Sequence, residues 1–246
     1  MAGLTTGGPN VDVSLLYEIN GAARHAPGWL DRTVSLAGEF GIPLALVLLV
    51  LWCWRGARRQ DESTAVESFA ALVWAPLAAG LALLVNAPLR ELVERPRPFR
   101  QHEGLQVLDP TVDPGLGTGL AQPEFSFVSD HATLAMALAV GLFLANRKLG
   151  LIGIGLAFAE GVCRVYTGVH YPTDVIGGFA LGTAVVLVLA PLAMALLTPV
   201  VRAVAGSPRL GRLVRAKGRT WPRPVGLAQP QSPSAEQLTP ESDLAA

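Results

Sequence analysis

Stretches free of charge set the frame of this chain. Ser68–Leu89 runs for 22 residues without a charged side chain and Val175–Val201 for 27. A helix needs about 20 apolar residues to cross a bilayer, so both stretches predict transmembrane helices. Phe40–Trp54 is uncharged over 15 residues and reaches span length if its helix begins near Trp29. Ala132–Asn146 and Leu149–Ala159 are shorter. Each becomes a span only by taking in polar residues at one end, Ser129–His131 for the first and Glu160–Arg164 for the second. Polar groups at that depth are costly and mark function. The predicted spans are 29–54, 66–94, 129–147, 149–166 and 173–200. Ahead of them, Val11–Ala23 mixes apolar residues (Val13, Leu15, Leu16, Ile19) with polar ones and is too short to cross, which predicts an interfacial helix. The start lacks the basic stretch and short apolar run of a cleaved signal, so the first span is expected to serve as its own insertion signal. The expected fold is all-α: a polytopic membrane bundle of about five spans plus the short N-terminal helix.

Composition agrees. Of 246 residues 51% are hydrophobic and 15% charged, against roughly 25% charged in soluble proteins. Mean hydropathy is +0.42. Lys+Arg and Asp+Glu balance at 19 each, which excludes a charged disordered chain and speaks against a nucleic-acid partner. Cys53 and Cys163 lie in apolar stretches, with the spacing of neither a disulfide framework nor a metal site. The basic residues are uneven. Twelve of the 19 fall on one side of the predicted spans: Arg55, Arg58, Arg59, Arg147, Lys148 and seven residues beyond 200. The positive-inside rule makes that side cytoplasmic, so loop 95–128 is expected to face outward. The sequence divides into a flexible start (1–10), a membrane domain (11–200), a basic amphipathic cytoplasmic segment (201–220) suited to anionic lipid, and a Pro/Ser/Gln/Glu-rich tail (221–246) expected to be disordered.

Three polar clusters stand at predicted helix ends on the outer side. The first is Arg90–Phe99, RELVERPRPF. Pro96 and Pro98 end the preceding helix and stiffen the chain beyond it, holding Arg95 and Arg97 at the surface with Arg90 about two turns back. Arginine's planar fork suits phosphate oxygens, although arginines at a span end also simply snorkel to headgroups. The second is Ser126–Thr133, SFVSDHAT. Ser129 is an N-cap candidate, the first turn beyond it presents N–H groups to an anion, and His131 stands there as a proton donor. A capped helix with an interfacial histidine is the plainer reading. The third is Cys163–Asp174, CRVYTGVHYPTD. His170 sits in a turn allowed by Gly168. Asp174 follows four residues later and is placed to accept one imidazole N–H, leaving the other nitrogen as nucleophile or base. Together the clusters supply charge neutralisation, a nucleophile and a proton donor, which phosphoryl transfer requires, with no carboxylate set for a metal and no cofactor.

Arg-x6-Arg-Pro, Ser-Asp-His and Arg-x5-His-x3-Asp resemble the three-part signature of the type-2 phosphatidic acid phosphatase superfamily, which includes vanadium haloperoxidases and has an all-helical core. The resemblance covers roughly residues 11–200. Within the family the chain is most similar to the bacitracin-resistance undecaprenyl-diphosphate phosphatases, on NRKLG, HYPTDVIGG, Ser-Asp-His in place of Ser-Gly-His, and YEIN. The resemblance implies that His170 attacks phosphorus to form a phosphohistidine and that Asp174 orients it. It implies that His131 protonates the leaving oxygen and then activates water. Arg90, Arg97, Arg164, Ser129 and the backbone N–H near Asp130 would hold phosphoryl oxygens. Three positions depart from the pattern: Arg90 stands for a common lysine, Val128 for a proline and Cys163 for a serine.

Other residues carry lesser expectations. Glu39, inside the first span, is expected to contact lipid or a site arginine, or to sit protonated or in a wet pocket. Glu160 is expected to restrain Arg164 as an i,i+4 pair and Asn86 to bond between helices. Tyr166 and Tyr171 read as interfacial aromatics, and His25 and His102 as exposed bystanders. The implied activity is hydrolysis of undecaprenyl diphosphate in the membrane, without a metal, at the extracytoplasmic face. Phosphatidic acid, phosphatidylglycerol phosphate and other polyprenyl phosphates are alternative substrates. A haloperoxidase fits poorly with multiple spans. A lipid-binding scaffold leaves His131 and His170 unexplained, and a transporter would show paired halves, which the sequence lacks.

Overall fold

The structure, a computed structural model, describes residues 10–109, 125–207 and 209–214. The expectations for the first nine residues and for 215–246 lie outside the described residues. The short N-terminal helix is α1 (Val11–Gly21), capped by the Asn10 side chain, which accepts the Asp12 N–H. A 3₁₀ turn, Ala22–His25, leads into α2 (Gly28–Leu36). A π-helical turn, Ala37–Gly41, joins α2 to α3 (Ile42–Ala57), so the predicted first span is one helix of 30 residues. Asp61 caps α4 (Glu62–Val93) by accepting the Thr64 N–H at 3.1 Å. Glu94 ends α4 in the left-handed region, with φ 48°, and a single turn, α5 (Pro98–Gln101), follows.

α6 (Asp130–Ala145) and α7 (Arg147–Tyr166) meet at Asn146, whose side chain caps α7. α8 (Pro172–Gly206) begins with proline at a position whose N–H would be unpaired anyway. It keeps Pro191 and Pro199 inside, as α4 keeps Pro76 and Pro88, a pattern membrane helices tolerate. One turn, α9 (Gly211–Val214), closes the described part. Among the described residues there is no strand, only an isolated bridge between Pro96 and Phe125.

α3, α4, α7 and α8 are long and apolar enough to cross a membrane when α3 is counted with α2, and α6 is a shorter apolar helix. α6 is the hub, packed against α4, α7 and α8. Its residues Ala132, Ala135, Ala137 and Ala139 are all but sealed from the surface, and small residues let the backbones close up. At Gly182 of α8 a Cβ would lie 2.6 Å from the Thr133 carbonyl oxygen of α6. The outer rim is the reverse: Leu48 and Trp52 of α3, Leu84 of α4, Ile152 of α7 and Val188 of α8 are each more than half exposed. An apolar rim around a small-residue core suits a lipid solvent.

Three secondary expectations are corrected. Tyr171 and Tyr166 are buried, at 2% and 9% exposure: Tyr171 packs in a cluster with Leu16 of α1, and the Tyr166 hydroxyl donates to Asp31 of α2 at 2.6 Å. His102 is no bystander: its ring lies edge-on between Tyr17 and Tyr171. Glu160 is fully buried, and neither carboxylate oxygen has a hydrogen-bond partner among the described residues, so it does not hold Arg164 by a hydrogen bond.

Candidate active site

The C-terminal ends of α4 and α7 and the N-terminal ends of α6 and α8 share one end of the bundle, and all three polar clusters meet there. Asn86, fully buried one turn before Arg90, bonds from α4 to the start of α6, between helices as expected. Its Nδ2 donates to the Val128 carbonyl at 3.0 Å and to Asp130 Oδ1, and its Oδ1 accepts the Val128 N–H at 3.3 Å. Arg90 Nη2 pairs with the same Asp130 oxygen at 2.5 Å. Ser129 caps α6 as expected: its hydroxyl accepts the Ala132 N–H at 3.4 Å, and its own N–H donates to the Asp174 carbonyl at 3.1 Å.

His170 is 3% exposed. Its Nδ1 lies 3.0 Å from the Ser126 carbonyl oxygen and 3.6 Å from Asp174 Oδ2. The nearer partner is therefore the backbone oxygen, with Asp174 at ion-pair range. Ser126 is fixed for this by its N–H, which donates to the Arg95 carbonyl at 2.8 Å. A carbonyl only accepts, so the ring hydrogen sits on Nδ1 and Nε2 keeps its lone pair. Burial, aided by the charges of Arg97 and Arg164, pulls the imidazole down to about 4, so His170 is neutral at pH 7.

Asp174 is fully buried and fully engaged. Oδ2 accepts the Tyr171 N–H at 2.9 Å, closing the first turn of α8, and Oδ1 takes Arg95 Nη1 at 2.8 Å. The Arg95 guanidinium stacks 3.7 Å from the Tyr171 ring centroid and also reaches Thr173 Oγ1 and Asp12. Asp12 in turn accepts the Thr173 N–H at 2.9 Å. α1 is thus tied to the turn that carries His170.

The remaining arginines gather at the same end of the bundle. Arg97, 2% exposed, donates to the Val169 carbonyl. Burial and the neighbouring charges of Arg164 and Arg90 draw it down to about 10. Arg164 places Nη1 on Glu39 Oε2 and Nη2 on Asp109 Oδ2, each at 2.8 Å. His131 Nε2 lies 3.7 Å from the same Glu39 oxygen. The Nε–H groups of Arg164 and Arg90 are buried without a hydrogen-bond partner among the described residues. The eight site residues chosen from sequence therefore come together. Sequence reasoning missed Asp109, Asp12 and the Ser126 carbonyl as partners, and did not foresee Asp130 paired with Arg90. Among the described residues, no group of three or more His, Cys, Asp or Glu side chains is placed to hold a metal ion.

The chain is similar to several known proteins. Undecaprenyl-diphosphatase BcrC of Bacillus subtilis is 25% identical over 168 residues, 68% of this chain and 76% of that protein. Decaprenylphosphoryl-5-phosphoribose phosphatase of Mycobacterium tuberculosis is 30% identical over 182 residues, 72% of this chain and 88% of that protein. The crystal structure of Aquifex aeolicus LpxE superposes with a TM-score of 0.53 at 22% identity, covering 74% of this chain and 95% of that one. The profile of the PAP2 superfamily matches residues 71–196, a stretch that contains all three polar clusters. By that match the chain belongs to the PAP2 superfamily and is a membrane lipid phosphatase.

Proposed function

We propose that this phosphatase hydrolyses undecaprenyl diphosphate to undecaprenyl phosphate and inorganic phosphate through a phosphohistidine. One observation carries the reading: a buried neutral His170, bonded through Nδ1 alone, lies at the same end of the bundle as three arginines, two of which hold buried N–H groups without a partner among the described residues. Buried donors need acceptors, and a phosphoryl group supplies them.

In the first step Nε2 of His170 bonds to the terminal phosphorus as the bond to the bridging oxygen breaks. His131 gives its proton to that oxygen, and the lipid monophosphate leaves. In the second step water attacks the phosphohistidine, His131 takes a proton from the water, and the P–N bond breaks to release phosphate and restore His170. Asp174 and the Ser126 carbonyl hold the imidazole and stabilise the positive charge it gains. Arg90, Arg97 and Arg164 neutralise the equatorial oxygens, with Ser129 and the N–H groups at the start of α6 behind them. The likeness to BcrC supports the diphosphate substrate. The likeness to the decaprenylphosphoryl-5-phosphoribose phosphatase favours a second reading, a polyprenyl-linked phosphate monoester. The gathering of Arg55, Arg58, Arg59, Arg147 and Lys148 at the opposite helix ends supports an active site on the extracytoplasmic face with the basic tail in the cytoplasm.

Phosphate release by detergent-purified protein in EDTA tests the reading. Undecaprenyl diphosphate, undecaprenyl phosphate and phosphatidic acid are compared, each against His170→Ala. Release from the diphosphate that vanishes in the variant is expected. Preference for another lipid would keep the chemistry and replace the substrate, whereas no release from any would overturn the proposal.

A further inference from the structure

Glu39 has no place in the chemistry described so far, yet its carboxylate stands inside the site. The first span brings it there through its only irregular turn. The π-helical segment Ala37–Gly41 widens the helix where it meets α7, and π turns of this kind gather at functional sites. Gly38 makes the approach feasible, since a Cβ there would lie 2.8 Å from Cys163 Cβ. Glu39 Oε2 then serves two groups at once, Arg164 Nη1 at 2.8 Å and His131 Nε2 at 3.7 Å. The Glu39 side chain is 11% exposed and that of His131 26%, so the interaction lies largely out of water, where charge pairs gain strength.

Resting on the phosphohistidine reading, we propose that Glu39 is the positioning residue for the proton-transferring histidine, holding the His131 ring by Nε2 and stabilising its protonated form. The two histidines then have separate anchors. His170 is held through Nδ1 by Ser126 and Asp174, and His131 through Nε2 by Glu39. Held this way, His131 presents Nδ1–H to the leaving oxygen. The Nδ1 proton passes to that oxygen as the P–O bond breaks. In the second step the same nitrogen takes a proton from the attacking water. Arg164 stays paired with Glu39 throughout. The charged groups around His131 are Arg164, His170, Asp109 and Asp130 besides Glu39. Those around Glu39 are Arg164, Glu160 and His131.

A role in holding Arg164 alone makes a different prediction, and the leaving group separates the two. Nitrophenolate departs without a proton, whereas the alkoxide of a lipid phosphate monoester needs one. Detergent-purified wild type, Glu39→Gln, Glu39→Asp and His131→Ala are assayed on phosphatidic acid or undecaprenyl phosphate, whichever the wild type cleaves faster, and on p-nitrophenyl phosphate. Glu39→Gln is expected to lower kcat on the lipid ester at least tenfold with KM within threefold. In the pre-steady-state burst of nitrophenolate, which reads the first step alone, it should lose less than threefold, following the pattern of His131→Ala in the same burst. Glu39→Asp should recover most of the loss. Equal losses on both substrates, a loss confined to KM, or no loss would overturn the proposal and leave the phosphohistidine reading standing. A wild type without His170-dependent release on any substrate would overturn both.

Discussion

Mild acid should unfold this protein through His170. The ring is buried and neutral, held down to about 4 by desolvation, whereas in an unfolded chain it titrates near 6.5. Between those values the unfolded state binds a proton that the folded state refuses, so stability falls as pH drops from 6.5 toward 4. A shift of that size corresponds to about 3 kcal/mol in total, most of it already lost at pH 4.5. His170→Asn keeps a donor for the Ser126 carbonyl and removes the titration. Thermal unfolding in detergent at pH 7.5 and 4.5, for wild type and variant, isolates the term. The wild type should lose roughly 5–10 °C more than the variant on acidification, at about 2–4 °C per kcal/mol for a chain of this size. Parallel losses in the two proteins would refute the assignment of a buried neutral imidazole. The same property sets the acid limb of kcat/KM near pH 4 rather than 6.5, since only the neutral ring attacks phosphorus.

Asn86→Ala should lower stability by about 3 kcal/mol, because it strands buried backbone groups of Val128. It should also cut activity by loosening the start of α6, both read from thermal melts and phosphate release. Gly182→Val sets a side chain against the α6 backbone and should cost about 1–3 kcal/mol by overpacking. Gly80→Ala, with nothing within 4 Å of its new Cβ, is the neutral control in the same melts. Asp12→Ala frees Arg95 and Thr173 and should lower kcat about tenfold, some 1.4 kcal/mol, with KM unchanged in steady-state assays. Prolonged EDTA treatment should leave phosphate release unaltered.

The spans were legible because lipid demands uninterrupted apolar length. Predicted limits of 66–94 and 173–200 became Glu62–Val93 and Pro172–Gly206, and the differences lie where caps and prolines decide the ends. That the candidate site residues gather at one end of the bundle was legible because the three polar clusters all stand at span ends on the same predicted side. Their pairings were not legible. That Ser126 offers a carbonyl to His170 depends on a backbone bond to Arg95, which no side-chain pattern encodes. Asp109 meets Arg164 across 55 positions from a loop without periodicity. Tyr171 looked interfacial because aromatics at span ends usually are. Arg95 stacked on one side and His102 on the other bury it instead. Arg95 itself stood in a quoted motif, yet its link to Asp12 needs a helix from the far end of the chain.

The bridge between Glu39 and Arg164 also sets an order in time. The two residues are 125 positions apart. At synthesis rates of about 5–20 residues per second, the arginine arrives roughly 6–25 s after the glutamate. During that interval the first helix enters the membrane with a carboxylate that has no counter-charge. Asp12 meets its counter-charge sooner, since Arg95 lies 83 positions downstream, but its second partner Thr173 lies 161 positions downstream. The pocket therefore assembles last, when α7 and α8 insert. A chain stalled before α7 presents an isolated acidic group at membrane depth, which distinguishes it from the finished protein.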